Sequence, residues 1–135
     1  MTAMNGFSAM LNVRDGVLAL DFYQRAFNAT ILWKAPPEGG TVAQLSIAGA
    51  EFWIHDETLE HQNPAPPSVG GTTVRLMLLV DDPDAVYAQA VSAGATIVSP
   101  VQDRSYGWRD GRFADPFGHH WEIGKPLGPW PPAVR

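Results

Sequence analysis

The stretch DPFGHHWEI, Asp115 to Ile123, sets two histidines, a tryptophan and a glutamate directly behind a proline–glycine turn. On a strand, His120 and Glu122 project from one face, while Trp121 and Ile123 project from the other. An imidazole beside a carboxylate can bind a divalent cation or move a proton. His55 closes a second apolar strand, AEFWIH, and is a third group of the same chemistry. The motif also has a structural reading. Asp115, Pro116 and Gly118 are turn formers, and Trp121 and Ile123 suit the core side of a closing strand. On that reading His119 belongs to the packed side or the surface, and His61 to a linker.

Composition removes other chemistries. The chain has 135 residues and no cysteine, which excludes disulfides, thiolate nucleophiles and sulfur-rich metal sites. A formal charge of −5 with no Lys/Arg cluster argues against a nucleic-acid partner. No apolar run approaches the ~18 residues of a membrane span, and the start carries no basic-then-apolar leader. A cytoplasmic protein without membrane contact is the expectation. Gly-rich phosphate loops, nucleophile elbows and HExxH motifs are absent from the sequence.

The elements that must position these residues read as one pattern written twice. Alternation gives a strand from Phe7 to Val13. A helix follows, capped by Asp15, with Val17, Leu20, Tyr23, Ala26 and Phe27 near one face. TILW, TVAQLSI and AEFWIH are then three strands between PPEGG and AGA turns. The second half repeats the order. TVRLMLLV is a strand, and DDPDAVYAQAVSAGA is a helix with Pro83 inside its start and Gly94 near its end. TIVSPV, WRDGRFAD and HHWEIG are three more strands. NATIL lies over GATIV, and GAEFWI lies over GHHWEI, so the repeat is visible in residues as well as in order. One domain follows, with modules at about residues 6–57 and 73–127, a Pro/Gly linker at 58–72 and an irregular tail at 128–135.

The doubled βαβββ order, the DFYQRAF helix, VDDPDAVYAQAVSAGATIVSP and DPFGHHWEI resemble the vicinal oxygen chelate superfamily, which holds glyoxalases, bleomycin-resistance proteins and extradiol dioxygenases. YGWRDGRFADPFGHHWEIGKPL is most similar to the PhnB-type, glyoxalase-like members. The resemblance implies an α+β fold whose two modules form a curled mixed sheet around a cleft. It also implies a homodimer that completes its clefts across a two-fold interface, with Ser8 and Trp53 of one subunit facing the partner subunit's Arg75 and Glu122.

Strand alternation sorts the side chains within that frame. Ala9, Leu11, Val13, Phe52, Ile54, Val74, Leu76, Leu78 and Val80 should pack with Trp121 and Ile123. Ser8, Met10, Asn12, Glu51, Trp53, His55, Arg75, Met77, Leu79, His120 and Glu122 should face the cleft. By the resemblance, Tyr106, Trp108, Arg109 and Arg112 border it.

The family's metal enzymes take one ligand from the first and the last strand of each module. Carried over, those positions are Ser8, Trp53, Arg75 and Glu122, and only Glu122 keeps a ligand type. No cofactor is therefore expected. The alternative is a divalent ion (Zn, Ni, Mn or Fe) at a shifted site of His55, His120 and Glu122. The functional expectation is a metal-independent protein holding a small aromatic or cationic molecule. Trp53, Trp108, Met77 and Leu79 would form the walls, His55, His120 and Ser8 would line the cleft, and Arg75 with Glu122 would fix polar groups. The rival is a lyase, isomerase or dioxygenase acting on a small carbonyl compound. There Glu122 is general base or remnant metal ligand, and Arg75 stabilises the developing oxyanion.

Overall fold

The doubled element order is that of the folded chain. A computed structural model describes residues 4–133; Val134 and Arg135 of the expected tail lie outside the described residues. The first module comprises β1 (Ala9–Val13), α1 (Gly16–Phe27), β2 (Thr30–Lys34), β3 (Val42–Ile47) and β4 (Ala50–Asp56). A short α2 (Pro66–Val69) precedes the second, made of β5 (Arg75–Leu79), α3 (Pro83–Ala93), β6 (Thr96–Asp103), β7 (Trp108–Ala114) and β8 (His120–Pro126). The helices start where their caps dictate. Asp15 accepts from the Leu18 N–H at 3.0 Å, and Asp82 accepts from the Ala85 N–H at 3.2 Å, each satisfying an otherwise orphaned donor.

Each module closes a four-stranded sheet, ordered β1-β4-β3-β2 and β5-β8-β7-β6. The first and last strands of each module pair in parallel, and the other pairs are antiparallel. Among the described residues no strand pair joins one sheet to the other, so the curled arrangement is two open sheets rather than one continuous one. The helices supply the junction. Tyr23 of α1 meets Phe52 of its own sheet at 5.3 Å and Trp121 of the other at 5.8 Å. Phe27 reaches Phe113 at 5.9 Å and Trp121 at 4.9 Å. One aromatic core therefore serves both modules, and hydrophobic burial ties them together.

Asp115 fixes this junction chemically. Its Oδ2 accepts from the Tyr23 hydroxyl at 2.5 Å and from Trp121 Nε1 at 2.9 Å; its Oδ1 accepts from the backbone N–H of Phe117 and His119. Burial and the Asp115 carboxylate push the Tyr23 phenol well above its ordinary range, so it stays a donor. The adjoining Gly118 sits at φ +91°, where a Cβ would also stand 2.8 Å from Pro66, so glycine is required twice over.

Several expected boundaries move. The first strand begins at Ala9, leaving Phe7 and Ser8 exposed ahead of it. Val17 is 67% exposed because the buried side of α1 runs through Ala19, Leu20, Phe22, Tyr23, Ala26 and Phe27. Val74 does not pack either; it precedes β5 and is exposed, at the end of a Gly70–Thr73 turn. The linker is partly ordered, since Glu57 accepts from the Ala65 N–H and the Ser68 hydroxyl and so draws α2 onto the first module.

Candidate functional site

The face of each sheet opposite the helices is where alternation placed the chemistry. On the first module, the register sets Met10 beside Trp53 and Asn12 beside His55, while Gln44 stands opposite Trp53 on β3. Trp33 of β2 lies across Gln44, its ring 6.0 Å from that of Trp53. Gln44 is held by Glu51 through a 2.9 Å hydrogen bond. The result is an open aromatic shelf with Met10 at its edge. His55 places Nδ1 2.7 Å from the Asp56 carbonyl, so Nδ1 is the donor of that contact. Ser8 stands outside the strand, exposed.

The second module's face is polar. Arg75 lies opposite His120 and Met77 opposite Glu122 across β5–β8, while Arg112 lies opposite Glu122 across β7–β8. The side chains pair diagonally. Arg75 Nη1 donates to Glu122 Oε1 at 2.6 Å, and Arg112 Nε donates to His120 Nδ1 at 3.1 Å. Leu79 continues the apolar edge beyond Met77 and stays exposed. The four positions that the resemblance assigns to metal ligands are thus a serine off the strand, a tryptophan, and an arginine bound to the one carboxylate. That donor set does not fit a divalent cation, because it offers one carboxylate, with Oε1 held by a guanidinium, beside a serine, a tryptophan and an arginine. The shifted set is divided in one chain, with His55 on β4 and His120 and Glu122 on β8; among the described residues, no group of three His, Asp or Glu gathers for a metal.

Arg112 also determines the state of His120. Burial, then the neighbouring Arg112 charge, holds the imidazole below the ordinary histidine range. Nδ1 accepts, so the neutral ring carries its proton on Nε2. The unfolded chain therefore takes up this proton before the folded one does. Stability contributed by His120 is complete above its unfolded pKa of about 6.5 and declines as pH falls below it. Thermal melting between about pH 7.5 and 5 should show that decline, and His120→Gln should flatten part of it. Equal slopes in both proteins would refute the assignment.

Two aromatic and basic residues expected at the cleft sit differently. Trp108 is on this side of β7 but buried, its indole edge-on to Trp130 of the tail at 5.2 Å. It is closed to a ligand in this arrangement. Arg109 projects to the helix side and grips Asp84 of α3 at 2.7 and 2.8 Å, with Asp103 at 2.9 Å. His119 is buried, with Nε2 2.8 Å from the Asn12 carbonyl, and so links the modules. The residue missed by sequence reasoning is Asp110. It shares the face of Arg112 and binds Arg104 at 3.0 Å and the Tyr106 hydroxyl at 2.7 Å. The alternation that sorts HHWEI, applied to WRDGRF, places Asp110 with Arg112. Nothing in the sequence marks Arg104 as its partner.

A cavity of about 770 Å³ opens beside the β1 edge, lined by Met10, Asn12, Val69, Val74, Leu76 and His119 among others. It reaches the sheet faces only through Met10 and Asn12. Its walls lack Trp53, Arg75 and Glu122, so volume and chemistry point to different places, and the chemistry is the better guide.

Known proteins resemble this one throughout its length. The family described as Glyoxalase/Bleomycin resistance protein/Dioxygenase superfamily matches residues 7–123. The uncharacterized protein Mb0911c of Mycobacterium bovis is 41% identical over 125 residues, which cover 89% of this chain and 82% of that protein. Among solved structures, TioX from Micromonospora sp. ML1 superposes with a TM-score of 0.71 at 26% identity, covering 97% of this chain and 98% of the other. The product of Arabidopsis thaliana At5g48480 gives 0.71 at 27% identity over 91% of this chain and all (100%) of its own.

Proposed function

The chain belongs to the glyoxalase, bleomycin-resistance protein and dioxygenase superfamily, and on that premise we propose that it binds a small aromatic molecule without using a metal. The observation that carries this reading is the Arg75–Glu122 ion pair at 2.6 Å. It joins to a guanidinium the only ligand-type residue among the four positions that the resemblance assigns to metal ligands. The same contact counts against Glu122 as a general base, because it ties one carboxylate oxygen to the guanidinium and turns the group toward Arg75.

The Trp33–Trp53 shelf with Met10 supplies the apolar wall, and Arg75, Glu122, Arg112 and His120 supply the directional groups. The two walls meet across a homodimer, the shelf of one subunit facing the partner subunit's Arg75 and Glu122. Support for the dimer comes from the single chain, where Met10 and Trp33 on the first sheet and Met77 and Leu79 on the second are 48–58% exposed, apolar surface that a facing subunit would cover. A PhnB-type kinship and a cytoplasmic setting agree with the sequence motifs and with the fact that no described helix is long and apolar enough to cross a membrane.

Titration with planar aromatic antibiotics and metabolites should quench tryptophan emission and raise the melting temperature. Saturation at about 100 times Kd corresponds to about 2.7 kcal/mol of stabilisation. Trp53→Ala should weaken the hit by about ten-fold or more. Met77→Glu should shift the mass in light scattering toward the monomer and lose binding with it. A protein that purifies with stoichiometric Zn, Ni, Mn or Fe, released in Glu122→Ala, would overturn the metal-free reading.

A further inference from the structure

Of the arginines on the second module's face, Arg75 is matched by Glu122 and Arg104 by Asp110. Arg112 is not matched. Among the described residues it forms no ion pair, and its one side-chain hydrogen bond runs from Nε to His120 Nδ1. The acceptor is a neutral nitrogen, so the guanidinium charge is left uncompensated on a half-buried side chain. Glu122 lies directly opposite on β8, close enough for cross-strand neighbours to interact, yet its carboxylate leans the other way, to Arg75. Among the described residues, both Nη groups of Arg112 are consequently without an acceptor.

From this we propose that Arg112 is an oxyanion subsite: the ligand carries a carboxylate or phosphoryl group that docks on its Nη1/Nη2 fork. Three features set the geometry. Using Nε to hold His120 orients the guanidinium plane and leaves its outer edge for a two-point contact, the arrangement that suits carboxylate and phosphate oxygens. His120, accepting through Nδ1, presents a second donor, Nε2–H, from the neighbouring strand. Arg75, more than half exposed and tied to Glu122 by one contact, is a flexible third cation at the rim. The polar end of the ligand is thus anionic, which replaces the cationic class expected from the sequence. The inference rests on the aromatic-shelf reading above, since the shelf receives the rest of the molecule.

The test compares ligands that share one aromatic ring system and differ in the charge and shape of the polar group, the carboxylate and amide being nearly isosteric. 1-Naphthoate, 1-naphthylphosphonate, 1-naphthamide and 1-naphthylmethylammonium are titrated calorimetrically into the intact protein and into Arg112→Met and Arg112→Lys. The expected result is an acid bound at least about ten-fold tighter than the amide, with the ammonium weakest and the preference reduced by added salt. The carboxylate and phosphonate arms say which oxyanion fits. Arg112→Met should remove the preference, bringing the acid's affinity down to that of the amide. Arg112→Lys, which keeps the charge but loses the fork, should retain part of it and covers the case in which Arg112→Met fails to fold. Equal binding of acid and amide, or a preference that survives in Arg112→Met, overturns the subsite and leaves the aromatic cleft standing. Absence of binding by all four overturns both.

Discussion

Asp115→Ala is expected to cost about 4 kcal/mol of folding stability, a large fraction of the 5–15 kcal/mol available to a typical domain. The reason is the number of donors aimed at one buried carboxylate. Asp115 is 4% exposed and receives the Tyr23 hydroxyl, the Trp121 indole N–H and the backbone N–H groups of Phe117 and His119. Alanine leaves all four facing nothing in a region closed to water, and each orphaned donor costs about 1–3 kcal/mol before relaxation. Tyr23→Phe removes one bond and no buried charge, so about 1.5 kcal/mol is expected. Urea unfolding of the three proteins checks both values. A loss below about 1 kcal/mol for Asp115→Ala would mean that the carboxylate serves only its own turn. The consequence reaches the faces as well, because the same atom joins α1 of the first module to β8 of the second. A ligand that spans both modules should bind more weakly to Asp115→Ala at temperatures where it is still folded.

How much of this was legible follows from what kind of contact each feature is. Periodicity reports local geometry. It found the two βαβββ units, the capping role of Asp15, and the sorting of Trp121 and Ile123 from His120 and Glu122. Internal repetition let one module be read against the other and placed Trp53 and Glu122 at matching positions. Contacts between distant segments carry no such signature. Asp115 was read as a turn residue, and it is one, but Tyr23 lies 92 residues away in the chain. Trp108 was placed at the cleft by resemblance, whereas the tail's Trp130 covers it. The tail is irregular, and no pattern says where an irregular segment lies. Val17 and Val74 failed for a simpler reason: apolar type was taken for burial at element ends, where solvent-facing valines are ordinary.

Arg104→Met should be the second most damaging change, at about 3 kcal/mol. β6 runs irregularly beside β7, with register shifts between Ile97 and Ser99 and between Ser99 and Gln102. Arg104 substitutes for the interrupted ladder. Its guanidinium donates to Ser99 Oγ at 2.8 Å, to the Pro100 carbonyl at 2.6 Å, to the Asp110 carbonyl at 3.0 Å and to Asp110 Oδ1 at 3.0 Å. Methionine keeps the aliphatic stem and removes every one of these. Asp110, its side chain 6% exposed, would keep only the Tyr106 hydroxyl, and an uncompensated buried carboxylate is the largest part of the penalty. Arg104→Met combined with Asp110→Asn should therefore recover more than half of the loss in urea unfolding, a coupling that a double-mutant cycle reads directly. Strictly additive losses would show instead that Arg104 acts through its backbone acceptors alone. The single variant also bears on binding. Ser99 is the register partner of Arg112, so loosening β6 withdraws support from the strand that carries the proposed oxyanion fork. The acid-over-amide preference should fall in Arg104→Met and return in the double variant. Asp110 matters to the ligand, on this view, only by keeping β6 and β7 together, and Gly124 is what makes room for it, since a Cβ there would stand 2.6 Å from that of Asp110.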